Sequence, residues 1–157
     1  MKISVIHIFL IGVIVFSCNT SPQATSEAVA PGALEGTWQL ISGTIIENGD
    51  TTVTDYTKNQ SMIKIINGSH FAFLNHDLKN GKDSTAAFSA GGGVYTLDGD
   101  QYMEYLEYCN AREWEGHTFQ FTVTVRNDTL IQQGVEKIEN INVDRLNIEK
   151  YSKVKDQ

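Results

Sequence analysis

The stretch that decides the fold is His117-Thr118-Phe119-Gln120-Phe121-Thr122-Val123-Thr124-Val125. Large apolar side chains alternate with Thr and Gln along it, as in a β-strand with one face buried and the other in solvent. Asn127-Asp128 follows, a pair typical of a tight turn, and leads into a second strand over 129–137. The pattern therefore predicts an antiparallel β-hairpin.

The same alternation continues on both sides of this hairpin. Eight strands are predicted, over 36–46, 61–66, 70–76, 86–97, 101–109, 117–126, 129–137 and 144–154. No convincing amphipathic helix interrupts them, and the longer connections cover 47–60, 77–85, 110–116 and 138–143. Sequential strands joined mostly by short turns predict an all-β fold, an eight-stranded antiparallel up-and-down barrel, which leaves no exposed sheet edge. A β-sandwich is the alternative.

An apolar run near the N terminus predicts an export signal. Residues 3–16 are almost entirely apolar and follow Lys2, but about 14 residues are fewer than the roughly 20 that a membrane-spanning helix needs. The run ends at Val15-Phe16-Ser17-Cys18, which resembles the lipobox of bacterial lipoproteins. The resemblance implies cleavage before Cys18 and its acylation, with palmitate for example. The alternative is an ordinary signal peptide that contains a cysteine.

A polar segment separates the predicted signal from the barrel. Residues 19–34 contain both prolines of the chain and few large apolar side chains, a composition typical of a flexible linker. The predicted organisation is therefore a signal peptide, a lipidated cysteine with its linker, and a barrel domain, over 1–17, 18–34 and 35–154. Lipidation would attach the protein to a membrane of the bacterial cell envelope, facing the periplasm or the cell exterior.

The charge and cysteine content limit the partners. The formal net charge of −7 argues against nucleic acid and against peripheral binding to anionic lipids, because both need basic patches. Membrane contact is thus expected through the lipid anchor. Lipidation of Cys18 would leave Cys109 as a free thiol, and its tyrosine-rich strand favours a buried, inert thiol over a nucleophile.

The start of the first strand carries a second resemblance. Gly36-Thr37-Trp38 resembles the Gly-x-Trp motif that opens the barrel of lipocalins and of the wider calycin superfamily. The resemblance implies that Trp38 fills the closed end of a lipocalin-like barrel and stacks on a cation from a late strand. Arg145 is the best match for that cation, and Arg126 is the second choice. It also implies a general capacity to bind a ligand.

Aromatic side chains are the candidates for lining such a ligand site. The selected residues are Phe73, Tyr95, Tyr105 and Phe121. Tyr105 faces opposite to Tyr102 and Tyr108 on a regular strand, so one of these two sets is expected inside the barrel. The alternative is that these aromatic side chains only pack the core or follow strand propensity.

Two further clusters contain residue types that could support chemistry. Four carboxylates lie near Cys109 and His117, namely Glu104, Glu107, Glu113 and Glu115. They could bind a metal or form an acid–base pair, but their spacing fits no known ligand signature. A solvated acidic face is therefore the preferred interpretation. Gly91-Gly92-Gly93 lacks the Lys-Ser/Thr of a phosphate loop and predicts a β-bulge or bend. No catalytic residue, metal or cofactor is predicted.

Three functions follow, in order of preference. The first is a membrane-anchored, lipocalin-like protein that binds a small apolar or amphipathic molecule in the barrel mouth. The second is a module with a filled core whose loops at 47–60 and 110–116 contact a protein partner in the envelope. The third is an enzyme on a calycin fold, against which the lack of a nucleophile or metal pattern argues.

Overall fold

The computed structural model describes residues 28–30 and 32–155. The predicted signal peptide, Cys18 and most of the predicted linker lie outside these residues. Within them, the strands are β1 Gly36–Glu47, β2 Asp50–Asp55, β3 Gln60–Ile66, β4 His70–Asp77, β5 Phe88–Asp98, β6 Gln101–Cys109, β7 Thr118–Arg126, β8 Thr129–Ile138 and β9 Val143–Lys153. Short 3-10 helices cover Arg112–Trp114 and Glu139–Ile141. None of the helices in this part of the chain is long and apolar enough to cross a membrane.

The strands form one antiparallel sheet that closes on itself. Consecutive strands from β3 to β9 are neighbours, and β1 pairs with β3 along one edge and with β9 along the other. This is the predicted up-and-down barrel of eight strands, and every predicted strand is present. The all-β barrel prediction is therefore confirmed, and the β-sandwich alternative is wrong.

A ninth strand, β2, was missed, because the segment 47–60 was interpreted as a connection. β1 pairs with β3 as far as Gln39, and from Ser42 onward it pairs with β2 instead. Most side chains of β2 are exposed on both faces, so the strand shows no apolar alternation. Asn48-Gly49 makes the turn with φ angles of 52° and 87°, and Asn-Gly between strands is the sequence signal that would have found it.

The two ends of the barrel differ. At the end that we call the closed end, hairpins turn at 67–69, 99–100 and 127–128, and the N-terminal segment packs there. The Val29 N–H donates to the Gly99 carbonyl at 3.0 Å, and Leu34 is 2% exposed. The predicted linker to residue 34 thus extends too far, because its last residues belong to the barrel floor. The opposite end, with longer connections at 78–87 and 110–117, is the open end.

Most of the fully buried apolar side chains lie in the closed half. Among the apolar side chains that are at most 1% exposed, five come from the start of β1, β6 and β8 or from the end of β7 and β9, which antiparallel order brings together: Trp38, Tyr102, Val123, Leu130 and Tyr151. Removing this apolar surface from water is the main favourable contribution to folding. The core therefore lies towards the closed end of the barrel.

The glycine stretch marks a bulge, as predicted. The register between β5 and β6 shifts between Gly92 and Gly93, and a Cβ atom on Gly93 would overlap the carbonyl oxygen of Tyr105. Only glycine allows the strands to approach so closely. Beyond the shift, Tyr108 lies outside the barrel with 68% exposure, whereas Cys109 lines its interior. The bulge thus changes which residues of β6 face inward.

Candidate functional site

A cavity of about 370 Å³ occupies the open half of the barrel. This volume lies within the range of small-molecule pockets. Its apolar lining includes Met62, Phe73, Leu106, Trp114, Phe119 and Phe121. Its polar lining includes Lys64, Gln132, Asn147 and four further charged residues, Glu104, Glu136, Arg145 and Glu149. The cavity is therefore amphipathic.

The deepest polar group is the ammonium of Lys64. Lys64 is 3% exposed, its Nζ pairs with Glu104, and it donates to Gln132 Oε1 at 2.8 Å. These side chains come from inward positions on β3, β6 and β8. A buried charge is costly unless it is paired and hydrogen-bonded, and here both conditions are met. The cluster places an ion pair inside the barrel.

Three aromatic rings surround the same ammonium. Lys64 Nζ lies 5.4 Å from the ring centre of Phe71, 5.6 Å from that of Tyr102 and 5.8 Å from that of Tyr151. The negative face of an aromatic ring attracts a cation at such distances. All three residues belong to the closed-end core. Lys64 therefore lies at the boundary between the apolar core and the polar cavity.

Burial controls the protonation of the groups at this boundary. It raises the pKa of Glu104, although the Lys64 ammonium lowers it in part. Burial also raises the pKa of Tyr102, and the charge of Glu104 adds to the shift. The Tyr102 hydroxyl has no hydrogen-bond partner of ordinary geometry among the described residues. The pKa of Tyr151 is raised well above 10.0 by burial and then by Glu149, to which its hydroxyl donates at 2.8 Å. Both phenols are thus neutral.

A second polar cluster lies nearer the open end. The Arg145 Nε and one terminal nitrogen each lie 2.7 Å from Glu136 Oε2, and Asn147 Nδ2 donates to Glu136 Oε1 at 2.9 Å. The Arg145 guanidinium also lies 5.2 Å from the ring centre of Trp114. Because Arg and carboxylate make two contacts, the geometry of this pair is well fixed. It forms part of the cavity wall.

The position of Arg145 corrects the predicted closure motif. Trp38 lies at the closed end with no exposed surface, its Nε1 donates to the Leu34 carbonyl at 2.7 Å, and Lys153 Nζ lies 5.1 Å from its ring centre. Placing Arg145 on Trp38 was therefore wrong. Both basic residues face inward on β9, but β9 runs from the open to the closed end, so only its last residues reach the floor.

The glycine of the same motif has a clear role. Gly36 has a φ angle of +130°, which other residues rarely adopt. A Cβ atom there would lie 3.0 Å from Lys153 Cε, which passes over this position on its way to Trp38. Gly36 thus admits the lysine that covers the tryptophan.

Two of the four aromatic candidates line the cavity. Phe73 and Phe121 do so, whereas Tyr95 and Tyr105 do not. Tyr95 packs on Tyr102 at 5.1 Å between ring centres and donates to the Asn67 carbonyl at 2.8 Å, which places it at the closed end. Tyr105 lies on the outer face of β6, because the buried residues on both sides of it define the inner face. The predictions for Tyr95 and Tyr105 were wrong.

The acidic residues near Cys109 are divided between different environments. Glu104 lies inside the barrel, whereas Glu115 accepts the Cys109 N–H at 2.8 Å and pairs with Arg112 at 2.9 Å. Among residues 28–30 and 32–155, no group of three or more His, Cys, Asp or Glu residues is arranged to hold a metal ion. Cys109 lines the cavity and is half-buried, so the thiol is less buried than expected.

Several lining residues were missed although their positions were visible in the sequence. Lys64 follows Met62 and precedes Ile66 at spacings of two, and Glu104 lies in the same way between Tyr102 and Leu106. A charged residue in the apolar phase of a strand indicates a paired or functional interior group. Tyr56, which packs against Gly43 and lines the cavity, follows the missed strand β2.

Comparisons of the chain with protein-family models, with curated proteins and with solved structures find no match. The closed, eight-stranded antiparallel barrel is consistent with the lipocalin-like fold expected from Gly36 and Trp38. Fold alone does not establish function, which depends on the site. The cavity and its charged lining are therefore the basis for a functional proposal.

Proposed function

We propose that this protein binds one small amphipathic molecule in the open half of its barrel. The observation that carries the proposal is the cavity of about 370 Å³. Three of its large apolar side chains come from β4 and β7, namely Phe73, Phe119 and Phe121. Most of its charged and amide groups come from β8 and β9. A molecule with an apolar body and a polar end matches both walls.

The polar wall is the reason to prefer an amphipathic over a purely apolar ligand. Glu136 and Glu149 both line the cavity, and an apolar ligand would displace water from them without replacing its hydrogen bonds. A ligand that brings its own polar group to this wall avoids that cost. The cavity also favours ligand binding over an interaction module with a filled core, because the open half is not filled by side chains.

The setting of this binding protein is part of the proposal. The lipobox-like Val15-Phe16-Ser17-Cys18 supports acylation of Cys18 and attachment to a membrane of the bacterial envelope. Several acyl chains anchor a protein firmly, since each buried CH₂ contributes about 0.8 kcal/mol. A barrel held in this way would meet its ligand close to the membrane surface.

Native mass spectrometry of the purified protein tests the binding proposal. We expect an added mass of one small molecule, either co-purified or acquired from a panel of amphipathic compounds. Ala111→Trp places a large ring at a residue that lines the cavity, so it should lower the occupancy. Val135→Trp adds the same ring at a residue that is 54% exposed and should leave occupancy unchanged. No bound compound, or equal loss in both variants, would overturn the proposal.

A further inference from the structure

The charges that line the cavity do not balance. Its lining contains two basic and three acidic side chains. Lys64 pairs with Glu104, and Arg145 pairs with Glu136. The remaining carboxylate belongs to Glu149, on β9. An interior wall with one surplus negative charge favours a positive ligand over a negative one.

Glu149 has a neutral hydrogen-bond partner. It accepts the Tyr151 hydroxyl at 2.8 Å, and within the part of the chain that the structure describes it forms no ion pair. Its charge acts across the cavity, since it contributes to the raised pKa of Tyr151, Tyr102 and Glu104. A half-buried carboxylate has lost part of its water shell, so an incoming cation gains more from it than from an exposed one.

A hydrogen-bond acceptor without a donor among the described residues belongs to a side chain that lines the same cavity. Asn75 lines the cavity, and its buried Oδ1 has no hydrogen-bond partner in that part of the chain. Its Nδ2 is directed to Gln60 Oε1 at 3.4 Å. An unsatisfied buried acceptor is costly, and a ligand N–H group would remove that cost.

We propose that the ligand is an amphipathic cation, an amine or guanidine whose positive group binds Glu149 and whose apolar body lies against Phe73, Phe119 and Phe121. Asn75 provides a second acceptor for a ligand that carries a further N–H group. This inference rests on the proposed function, because it requires the cavity to bind a ligand. It specifies the charge of that ligand, which the existence of a cavity does not.

Three probes with the same eight-carbon chain test the charge: octylamine, octanol and octanoate. Calorimetric titration of the full-length protein at neutral pH compares a positive, a neutral and a negative head group. Octylamine should bind about tenfold or more tightly than octanoate, with octanol between them. If octanoate binds as tightly as octylamine, the proposed ligand charge is wrong while ligand binding stands. If none of the three binds, ligand binding itself fails and the charge proposal fails with it.

A matched pair of variants assigns the preference to Glu149. Glu149→Gln should weaken octylamine binding about tenfold, strengthen octanoate binding and leave octanol binding within about twofold. Glu139→Gln removes the same charge from a side chain that is 86% exposed and should change no probe by more than about twofold. An equal effect of Glu149→Gln on all three probes would overturn the assignment. Thermal unfolding checks that both variants are folded, and the wild-type ranking of the probes does not depend on them.

Discussion

The two tryptophans of the barrel show how its ends differ. Trp38 at the closed end has no exposed surface and lies under Lys153, whereas Trp114 near the open end is half-buried and lies under Arg145. Each pairs an aromatic ring with a cation. The closed end surrounds its pair with packed apolar side chains, while the open end places its pair on the wall of a cavity. The same motif thus serves packing at one end and an accessible surface at the other.

This difference arises from the residues that face inward along each strand. Strand alternation is the same at both ends, but β8 and β9 place Leu130 and Tyr151 towards the floor and Glu136 and Arg145 towards the opening. Apolar side chains interdigitate and leave few voids. Charged side chains need partners and water, and they keep space open. The barrel therefore separates a stabilising half from a binding half.

Replacing each tryptophan with alanine should give the largest difference in stability between the two ends of the barrel. Trp38→Ala should lower the free energy of unfolding by about 3–5 kcal/mol, because it leaves a cavity in a packed core. Trp114→Ala should lower it by only about 1 kcal/mol, because its ring is already partly exposed. Urea denaturation measures both. Equal losses would mean that the open end contributes as much to stability as the floor.

Removing one member of the Lys64–Glu104 ion pair should destabilise the protein much more than removing both. Lys64→Met should lower the free energy of unfolding by about 3 kcal/mol, because it leaves Glu104 buried without its cation. Adding Glu104→Gln removes that charge as well, so the double variant should lie within about 1 kcal/mol of wild type. The three urea curves test this. A double variant that is no more stable than Lys64→Met would show that the pair acts through packing and not through charge.

The pH dependence of the same variants follows from the raised pKa of Glu104. An acid whose pKa is higher in the folded than in the unfolded protein binds more protons when folded, so its contribution to stability improves as pH falls. Lys64→Met removes the cation that lowers this pKa and should strengthen the effect. The gap between Lys64→Met and the double variant should therefore shrink as pH falls from neutral towards the ordinary Glu value of 4.5. Urea unfolding at several pH values measures it, and a constant gap would contradict this account.

Removing the cation over Trp38 should have the smallest effect on the free energy of unfolding. Lys153→Met keeps an apolar chain over the ring but removes the charge, and it should lower the free energy of unfolding by about 0.5–1 kcal/mol. Lys153→Arg retains a cation and should cost about half as much or less. Thermal and urea unfolding of both variants provide the comparison. If both variants lose the same stability, the shape of the lysine chain, and not its charge, matters at Gly36.

Local patterns predicted the barrel better than they predicted its interior. Alternation and turn residues located eight strands, because both depend on near neighbours. Strand β2 was missed, since its polar side chains have no buried face, although Asn48-Gly49 marked its turn. Tyr105 was assigned to the wrong face because alternation alone does not show which of the two faces lies inside the barrel. Tyr108 also lies outside, because the bulge at Gly92 and Gly93 interrupts the alternation before it.

Contacts between distant strands could not be predicted in this way. Lys64 donates to Gln132, which is 68 positions away in the sequence. No local sequence pattern predicts that side chains of β3 and β8 meet inside the barrel. Similarly, Arg145 and Lys153 are both basic residues that could stack on Trp38, and only the direction of β9 in the closed barrel decides between them. The lipidation of Cys18 remains a prediction, since this residue lies outside the described part of the chain.

The pairing of β1 with β9 has a consequence for how the barrel forms. Most neighbouring strands of the barrel are close in sequence, but Trp38 pairs with Lys153 and Ile46 pairs with Leu146. Contacts between distant parts of a chain slow folding, because a long loop must close before they form. A chain made from its N terminus thus carries an unpaired edge on β1 until the last strand emerges. Closure of the barrel, and with it the completed cavity wall, is expected to be the final step of folding.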